Sequence, residues 1–343
     1  MPTSFVGHFG GPKFGVAGTR KLAGVEGRPL IGTIIKPNVG LSPQQTAGIV
    51  KTLAEAGIDF VKDDELMANP PHSPFDDRLE AVMRVINDHA QRTGKKVMYA
   101  FNITDDLDLM QRNYEKIVNA GGSCAMISLN STGMAATRKI AGNDALVIHG
   151  HRNGFGMMNR HPQLGIEFPA YQKLWRLAGV DHLHVNGIKN KFWEDDDSVV
   201  RSIQACLHPL HDSATLMPVI SSGQWGGQAC ETYRRTQAAD LLYLADDGSP
   251  LSRRRRDHGA PGRPSCRIAF APKMVGSSRR RPYARPSNGQ VSRAAKISGE
   301  IWWQITAIRE PSLPHINFHH VTLSAVSTCI GNRIPSLQAA IGK

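Results

Sequence analysis

Short apolar runs alternate with amphipathic segments along the first 245 residues of the chain. The runs are five to eight residues long and rich in Val, Ile and Leu, which is typical of strands buried on both faces of a parallel sheet. Eight strands separated by helices predict an α/β fold, a (β/α)8 TIM barrel, with a doubly wound open sheet as the alternative. The predicted strands are 30–37, 60–65, 97–103, 125–130, 146–152, 182–186, 217–222 and 241–245.

The segments between these runs carry helix start and stop signals. Ser42 can cap a helix that has Pro43 at its first position, with Gln45 completing a capping box and Gly57 ending the element. No G-x-G-x-x-G follows the first strand, which weakens the case for a dinucleotide-binding open sheet. Apolar residues at helical spacing predict further helices over 106–120, 168–178 and 196–207.

The formal net charge of +12 is distributed unevenly. Residues 1–245 hold 25 Lys and Arg against 24 Asp and Glu, whereas residues 246–343 hold 16 against 5. The basic character therefore belongs to the last hundred residues, which argues against nucleic acid as a partner of the barrel. This break in composition predicts a boundary near residue 245, between the barrel (29–245) and a tail rich in Arg, Pro and Ser (246–343).

Targeting signals and cysteine usage bear on the compartment. The chain has no run of 18 apolar residues, so no membrane span is predicted. Its N-terminus lacks the basic segment followed by an apolar one that is typical of a signal peptide. The five cysteines include no C-x-x-C pair and are widely spaced, which indicates reduced thiols. We therefore expect a cytoplasmic protein without a membrane partner.

The ends of the predicted strands are unusually polar, and several of them carry ionisable side chains. Chemistry in a TIM barrel takes place at the C-terminal ends of its strands, so this clustering predicts an active site. For any single residue, a solvated position at the strand end is the alternative explanation. Several such strand ends on one face are harder to explain by structure alone, because burying each ionisable group costs free energy. Lys62 and Asp64, two apart, are expected to share a face. The groups are Lys36, 62–65, Asn102, the pairs His149/His151 and His182/His184, and 221–223.

Five motifs carry a family resemblance. They are "GTIIKPNVGLS" (32–42), "GIDFVKDDE" (57–65), "IHGHR" (148–152), "GVDHLHVNG" (179–187) and "PVISSGQW" (218–225). Together and in this order they resemble the catalytic barrel of the RuBisCO large-chain family. The resemblance implies that CO2 carbamylates Lys62 and that the carbamate, Asp64 and Glu65 bind Mg2+. Oxygen ligands of high charge suit that ion.

Departures from the carboxylase pattern narrow the resemblance. Asn38 stands where carboxylases have a second lysine after the first strand, and Phe155 stands where they have a histidine. These changes resemble the RuBisCO-like (type IV) proteins, which do not fix CO2. The motifs "MANPPHSP", "YAFNITDD", "HGHRNGFG" and "HVNGIKNKFWE" resemble the branch that acts on phosphorylated 3-oxo sugar acids, of the 3-oxo-isoapionate 4-phosphate type.

The resemblance implies a Mg2+-dependent lyase that decarboxylates such a sugar acid through an enediolate. Lys36 would transfer protons, with burial lowering its pKa. An enolase or isomerase of a 1-phosphoketose is the alternative activity, and an inactive chain with a basic binding tail is the alternative of another class. The remaining roles are orientation of the substrate by His151, closure over it by Lys191, and binding of substrate or phosphate by Asn102, Arg152, His184, Ser221 and Gly223.

The junction near residue 245 also departs from the family. A phosphate-binding glycine triplet is expected after the eighth strand, but the chain reads Ala245-Asp246-Asp247-Gly248. The hypothesis is that 246–343 is translated out of frame, which would leave the barrel incomplete and open at the eighth strand. A genuine basic, disordered extension that binds nucleic acid or an acidic partner is the alternative.

The region before the barrel is short for the family. The resemblance implies an additional N-terminal α/β domain that covers the active site of the partner subunit in a homodimer. Only about 28 residues precede "RPLIGTIIKP" here, so that domain is expected to be largely missing and residues 1–28 are expected to be a remnant of the N-terminal region.

Overall fold

A computed structural model describes residues 1–210 and 215–245, together with four two-residue strands beyond them. The eight longer strands are β1 (Leu30–Ile34), β2 (Phe60–Lys62), β3 (Met98–Asn102), β4 (Cys124–Ser128), β5 (Val147–His151), β6 (His182–Asn186), β7 (Met217–Ser221) and β8 (Leu242–Leu244). The short ones are β9 (Ile268–Ala269), β10 (Lys296–Ile297), β11 (Glu300–Ile301) and β12 (Val321–Thr322); β9 pairs with β12, and β10 with β11.

Ten α-helices and one 3-10 turn are found in the described part of the chain. They are α1 (Thr3–Val6), α2 (Gly15–Ala23), α3 (Pro43–Glu55), α4 (Phe75–Thr93), α5 (Leu107–Asn119), α6 (Leu129–Ala141), α7 (Phe155–Asn159), α8 (Phe168–Leu177), α9 (Asp196–Leu207), the turn Gly226–Gln228 and α10 (Ala229–Thr236).

Strands β1 to β8 form a closed parallel barrel in chain order, which confirms the predicted TIM barrel. Strand β8 pairs on both sides, with Leu242 opposite Leu30 of β1 and opposite Val219 of β7. The expected open edge at the eighth strand is therefore wrong. Its three apolar residues are fully buried, and this burial favours closure. The predicted reading-frame break and the glycine-triplet position lie outside the described residues.

The predicted helices are confirmed, and the start of α3 shows why. The Ser42 hydroxyl accepts a hydrogen bond from the Gln45 amide at 3.2 Å, and the Gln45 side chain accepts one from the Ser42 amide at 2.8 Å. This reciprocal capping satisfies two amides that the helix itself cannot pair. Helices α4 and α6 were not predicted, and they complete the outer layer after β2 and β4.

Most of the apolar core lies in two large clusters, separated by the sheet. Alternate strand residues face the helices or the barrel interior, as the period of two requires. Helix α2 closes the N-terminal end of the barrel, where Val16 and Ala23 join the interior cluster that contains Leu30 and Phe60. The Asp181 carboxylate accepts hydrogen bonds from two backbone amides just at the start of α2.

A charge cluster at the same end fixes β2. The buried Asp59 carboxylate accepts hydrogen bonds from Arg28 at 2.6 and 3.0 Å, from Lys95 at 2.7 Å and from the Ile31 amide at 2.9 Å. These partners lower the pKa of Asp59 against the opposing effect of burial. The polar residue at the start of an apolar strand is thus fully paired.

Two further predictions concern the cysteines and membrane spans. Cys124 and Cys206 are buried free thiols, whereas Cys230 is disulfide-bonded, so the expectation of reduced thiols throughout is not met. No helix among the described residues is long and apolar enough to cross a membrane.

Candidate active site

A cavity of about 310 Å3 opens at the C-terminal ends of the barrel strands. Its walls come from the ends of β1, β5, β6 and β7 and from the loops after β2, β5 and β6. The strand ends therefore converge as the sequence predicts. Of the predicted site residues, those that line the cavity are Lys36, Glu65, His151, Arg152, His184, Lys191 and Ser221.

Beneath the cavity lies the K-D-D-E segment at the end of β2. The Lys62 side chain is fully buried, and its Nζ donates to the Asp63 carbonyl at 2.7 Å and approaches Glu65 Oε2 at 3.4 Å. Burial lowers the pKa of Lys62, opposed by the charges of Glu65 and Asp64. Burial would raise the pKa of Glu65, but Lys62 and His151 lower it to about 2. An amine and two carboxylates are thus gathered at the end of β2.

Lys36 reaches this group from the end of β1. Its ammonium forms an ion pair with the buried Asp64 carboxylate. The Lys36 side chain is 44% exposed, so the expected burial of this lysine is wrong. The reason is its place: it stands two residues beyond Ile34, the last residue of β1, at the cavity mouth.

Asp63 points to the other side of the sheet, as the strand period requires. Its carboxylate accepts hydrogen bonds from Tyr99 Oη at 2.6 Å, the Asn102 amide at 3.0 Å and Arg78 Nε at 3.3 Å. Asp63 and Arg78 are both fully buried. The predicted register of β2 is confirmed, but Asp63 belongs to a buried network that holds α4 against the barrel.

Asn102 has a different task from the one expected. Its Nδ2 donates to the carbonyls of Asp64 at 3.2 Å and Glu65 at 3.0 Å, and its Oδ1 accepts from the Thr104 amide at 3.0 Å. The residue is fully buried and does not line the cavity. We therefore assign Asn102 to holding the loop that carries Asp64 and Glu65 rather than to binding substrate, because both N–H groups of its side-chain amide are already used.

Arg152 is held between aromatic rings. Its guanidinium lies 4.9 Å from the ring centroid of Phe155 and 4.8 Å from that of Phe168, and it contacts Glu194 at 3.4 Å. The Phe155 ring therefore packs against a cation. Burial lowers the pKa of Arg152, opposed by Glu194. One face of the cavity thus carries a positive group with a fixed orientation.

Two residues of this region escaped sequence reasoning. Glu194 accepts hydrogen bonds from Asn186 Nδ2 at 2.5 Å and Ser198 Oγ at 2.9 Å, and so ties the loop after β6 to the strand end. Asn153 lines the cavity, and its Oδ1 has no hydrogen-bond partner among the described residues. Their signals were present in "HGHRNGFG" and "KFWEDDD", but composition alone does not separate them from capping or loop residues.

The loops after β6 and β7 meet at the cavity. The Lys191 amide donates to the Ser222 carbonyl at 3.2 Å, which joins the two loops. Ser222 adopts a φ of 75° and Gly223 a φ of 80°, a left-handed turn that suits glycine but strains serine. Ser221 Oγ lies 3.1 Å from both His184 Nδ1 and the Val185 carbonyl. Gly223 does not line the cavity, but it lies beside the Lys191 side chain.

The residues at the end of β2 fit a Mg2+ ion only under one condition. No three His, Cys, Asp or Glu side chains come together to hold a metal within 1–210 and 215–245. Asp64 and Glu65 supply two carboxylates, and a carbamate on Lys62 would supply the third anionic oxygen group. Three hard oxygen donors suit Mg2+, so the donor set fits if Lys62 is carbamylated.

Comparison with known proteins shows the family. Residues 15–288 match the family model "Ribulose bisphosphate carboxylase large chain, catalytic domain". The chain is 53% identical to the "3-oxo-isoapionate-4-phosphate transcarboxylase/hydrolase" of Xanthobacter autotrophicus over 250 residues, which are 72% of this chain and 60% of that protein. It is 49% identical to the "3-oxo-isoapionate-4-phosphate decarboxylase" of Rhizobium rhizogenes, with the same coverage.

A solved structure gives the same result. The rubisco-like protein of Burkholderia fungorum is 48% identical, with a TM-score of 0.70, over 71% of this chain and 61% of that one. The chain spans about 60% of the length of the curated relatives that it matches. The barrel, its K-D-D-E segment and these matches show that the chain belongs to the RuBisCO large-chain family and is similar to its RuBisCO-like members.

Proposed function

We propose that this barrel serves a Mg2+-dependent lyase that decarboxylates a phosphorylated 3-oxo sugar acid of the 3-oxo-isoapionate 4-phosphate type. The observation that carries the proposal is the fully buried Lys62 amine beside Glu65 and Asp64, at the floor of a cavity lined by cationic side chains. The decarboxylases at about 50% identity support the substrate class.

The residues of the site would divide the work as follows. Carbamylated Lys62, Asp64 and Glu65 would hold Mg2+, which when bound would supply positive charge for the electrons released as CO2 departs. Lys36, at the mouth, is placed to deliver the proton that replaces the lost carboxyl group.

The cavity walls would orient the anionic substrate. The rings of Phe155 and Phe168, together with the Glu194 carboxylate, hold the Arg152 guanidinium in one orientation. Because this orientation is fixed before substrate arrives, Arg152 would bind a phosphate or carboxylate group of the substrate without rearranging. Lys191 lies on a loop joined to β7 through Ser222, so it is suited to close over a bound phosphate.

A second candidate is transfer of the carboxyl group to an acceptor, followed by hydrolysis. It is favoured by the relative from Xanthobacter autotrophicus, which is 53% identical and is named a transcarboxylase/hydrolase. Both activities would begin with cleavage of the same carbon–carbon bond, and they differ in where the carboxyl group goes.

The test uses the full chain, preincubated with bicarbonate and Mg2+, and 3-oxo-isoapionate 4-phosphate labelled in its carboxyl carbon. Release of labelled CO2 is expected for the chain and for Lys51→Ala, an exposed lysine on α3, but not for Lys62→Ala. Label retained on the protein or a non-volatile product would favour the transcarboxylase. Equal turnover in both variants would refute the assigned site.

Ribulose 1,5-bisphosphate is the matched substrate control. With Asn38 and Phe155 at positions where the resemblance leads us to expect basic groups, no fixation of labelled CO2 is expected. Measurable fixation would contradict the assignment to non-carboxylating relatives.

A further inference from the structure

A line of buried side chains runs through the barrel interior from α2 to the cavity. Thr19 of α2 contacts His182 of β6, which contacts His149 of β5, which contacts His184 of β6, which contacts Ser221 at the end of β7. The closest atoms are Thr19 Oγ1 and His182 Nε2 at 2.8 Å, His182 Nδ1 and His149 Nδ1 at 3.2 Å, His149 Nε2 and His184 Nε2 at 2.8 Å, and His184 Nδ1 and Ser221 Oγ at 3.1 Å.

The first member of this line determines its direction. Thr19 Oγ1 lies 2.5 Å from the Gly15 carbonyl oxygen, which has no proton to give, so the hydroxyl proton must lie between them. Gly15 is itself fixed, because its amide donates to the Asp181 carboxylate at 2.9 Å. Towards His182 the Thr19 oxygen can therefore only accept, and His182 must carry its proton on Nε2.

The tautomer of His182 then fixes the tautomers of His149 and His184 in turn. Burial lowers the pKa of all three histidines, that of His182 to about 3, so each ring is neutral and carries one N–H. With Nε2 protonated, His182 accepts at Nδ1 from His149 Nδ1–H. His149 then accepts at Nε2 from His184 Nε2–H, which leaves His184 Nδ1 to accept from the Ser221 hydroxyl.

One neighbour competes at the far end of the line: the Val185 carbonyl lies 3.1 Å from Ser221 Oγ, and a Ser221 proton placed there would reverse every tautomer. The Thr19 hydroxyl lies closer to its carbonyl, at 2.5 Å, so we take the Thr19 end as the one that decides the direction. Other neighbours hold the rings in place. The Phe60 ring stacks on His149 with centroids 5.1 Å apart and meets His182 edge-on at 6.0 Å. The charged or titratable groups that act on His149 and His184 are Lys62, His151 and Arg152, and each of them opposes protonation of the rings.

We propose that Thr19 is a positioning residue for the active site: its hydroxyl, at the closed end of the barrel, sets the tautomers of His182, His149 and His184. The hydrogen-bonding character that His184 and Ser221 present to the cavity is thereby determined from the opposite end of the fold. The consequence for turnover rests on the proposed function; the tautomers do not.

The variant that tests this is Thr19→Val, which keeps the shape of the side chain and removes the oxygen that accepts from His182. The line is then satisfied in the reverse sense, with Nδ1–H on His184 donating to Ser221. Thr19→Ser keeps the hydroxyl and should keep the original order. Thr52→Val is the matched control, because Thr52 makes the same type of hydrogen bond, to Gly48 at 3.1 Å, on the outer helix α3.

The readout is the ring-nitrogen NMR spectrum of 15N-histidine-labelled full chain. The wild type, Thr19→Ser and Thr52→Val should show Nε2–H on His182 and His184 and Nδ1–H on His149. Thr19→Val should exchange them. Nδ1–H on His184 in the wild type, or unchanged tautomers in a folded Thr19→Val or Thr19→Ala, would overturn the proposal.

The rate of turnover provides a second test of the proposal. The kcat for decarboxylation should fall about 10- to 100-fold in Thr19→Val, the range typical for loss of a supporting partner behind an active-site ligand, and Thr19→Ser should restore it. If the tautomers are as expected but the chain does not decarboxylate the substrate, the proposed function is wrong and the tautomer assignment still holds. Unchanged kcat with reversed tautomers would overturn the link to catalysis.

Discussion

At the scale of single residues, neighbours in the K-D-D-E segment have opposite tasks. Lys62, Asp64 and Glu65 gather beneath the cavity, whereas Asp63 faces α4 and pairs with a buried arginine. The alternation of a strand sends consecutive side chains to opposite faces, so one short segment serves both chemistry and stability.

Replacing Lys62 should remove the metal site. In Lys62→Ala we expect the Kd for Mg2+ in the presence of bicarbonate to rise by at least about 100-fold, because only two carboxylates remain. Titration calorimetry with and without bicarbonate measures this, with Lys51→Ala as the control. Wild-type affinity in Lys62→Ala would show that no carbamate takes part.

Replacing Asp63 should destabilise the fold and leave the metal ligands in place. In Asp63→Ala the buried Arg78 loses its carboxylate, and such a loss costs about 3–5 kcal/mol. Urea unfolding measures the difference, and Asp88→Ala, on the exposed face of α4, should stay within about 0.5 kcal/mol of the wild type. A mild effect at Asp63, which the alternation of the strand alone suggests, would mean that Arg78 finds water or another partner.

At the scale of elements, the strands were predictable, and helix α2 shows why some of the helices were not. The eight apolar runs correspond to β1–β8 because each run must be buried on both faces. Helix α2 is short and contains two glycines, and its position depends on contacts with Asp181 and Asp240, which lie far along the chain. Local pattern carries no information about such partners.

In the candidate site, too, some features could be predicted from the sequence and others could not. The convergence of strand ends followed from the period of a parallel barrel, and Lys62, Asp64 and Glu65 lie together at the end of β2. The exposure of Lys36 and the use of both N–H groups of the Asn102 side chain depend on loop conformations beyond the strands. Periodicity ends where the strands end, and so does its predictive power.

Arg20 should be the residue that holds α2 on the barrel. It is almost fully buried and donates to Asp240 and to the carbonyls of Val25, Arg28 and Ala239. In Arg20→Ala we expect a loss of about 2–4 kcal/mol in the free energy of unfolding, because these acceptors lose their donor. Urea unfolding measures the loss, and the exposed neighbour Lys21→Ala is the control; equal stability of both variants would contradict this role.

At the scale of the whole molecule, the barrel interior is a stack of neutral histidines rather than a purely apolar core. Burial lowers the pKa of His149, His182 and His184 below the usual 6.5. The unfolded chain therefore binds more protons than the folded one, and stability rises with pH across this range.

As the pH falls, the free energy of unfolding should begin to decrease at a higher pH than it would from the titration of carboxylates alone. The stability from the three rings is present above pH 6.5 and is lost as pH falls below it, towards the pKa of about 3 for His182. Between pH 7.5 and 5.5 each neutral ring costs about 1.4 kcal/mol, or about 4 kcal/mol for all three. Urea unfolding at both pH values tests this. His161→Gln, at an exposed histidine, should show the same pH dependence; a pH-independent free energy would mean that the rings are charged when folded.

The position of Asp59 has a consequence for how such a chain can be altered. Its cluster with Arg28 and Lys95 stands at the start of β2, while Asp64 and Glu65 stand just past the other end of this three-residue strand. Residues at the closed end of a barrel govern stability, and those at the open end govern chemistry. Mutations that adjust thermal tolerance around Asp59 are therefore open to selection, or to an engineer, without a change of substrate.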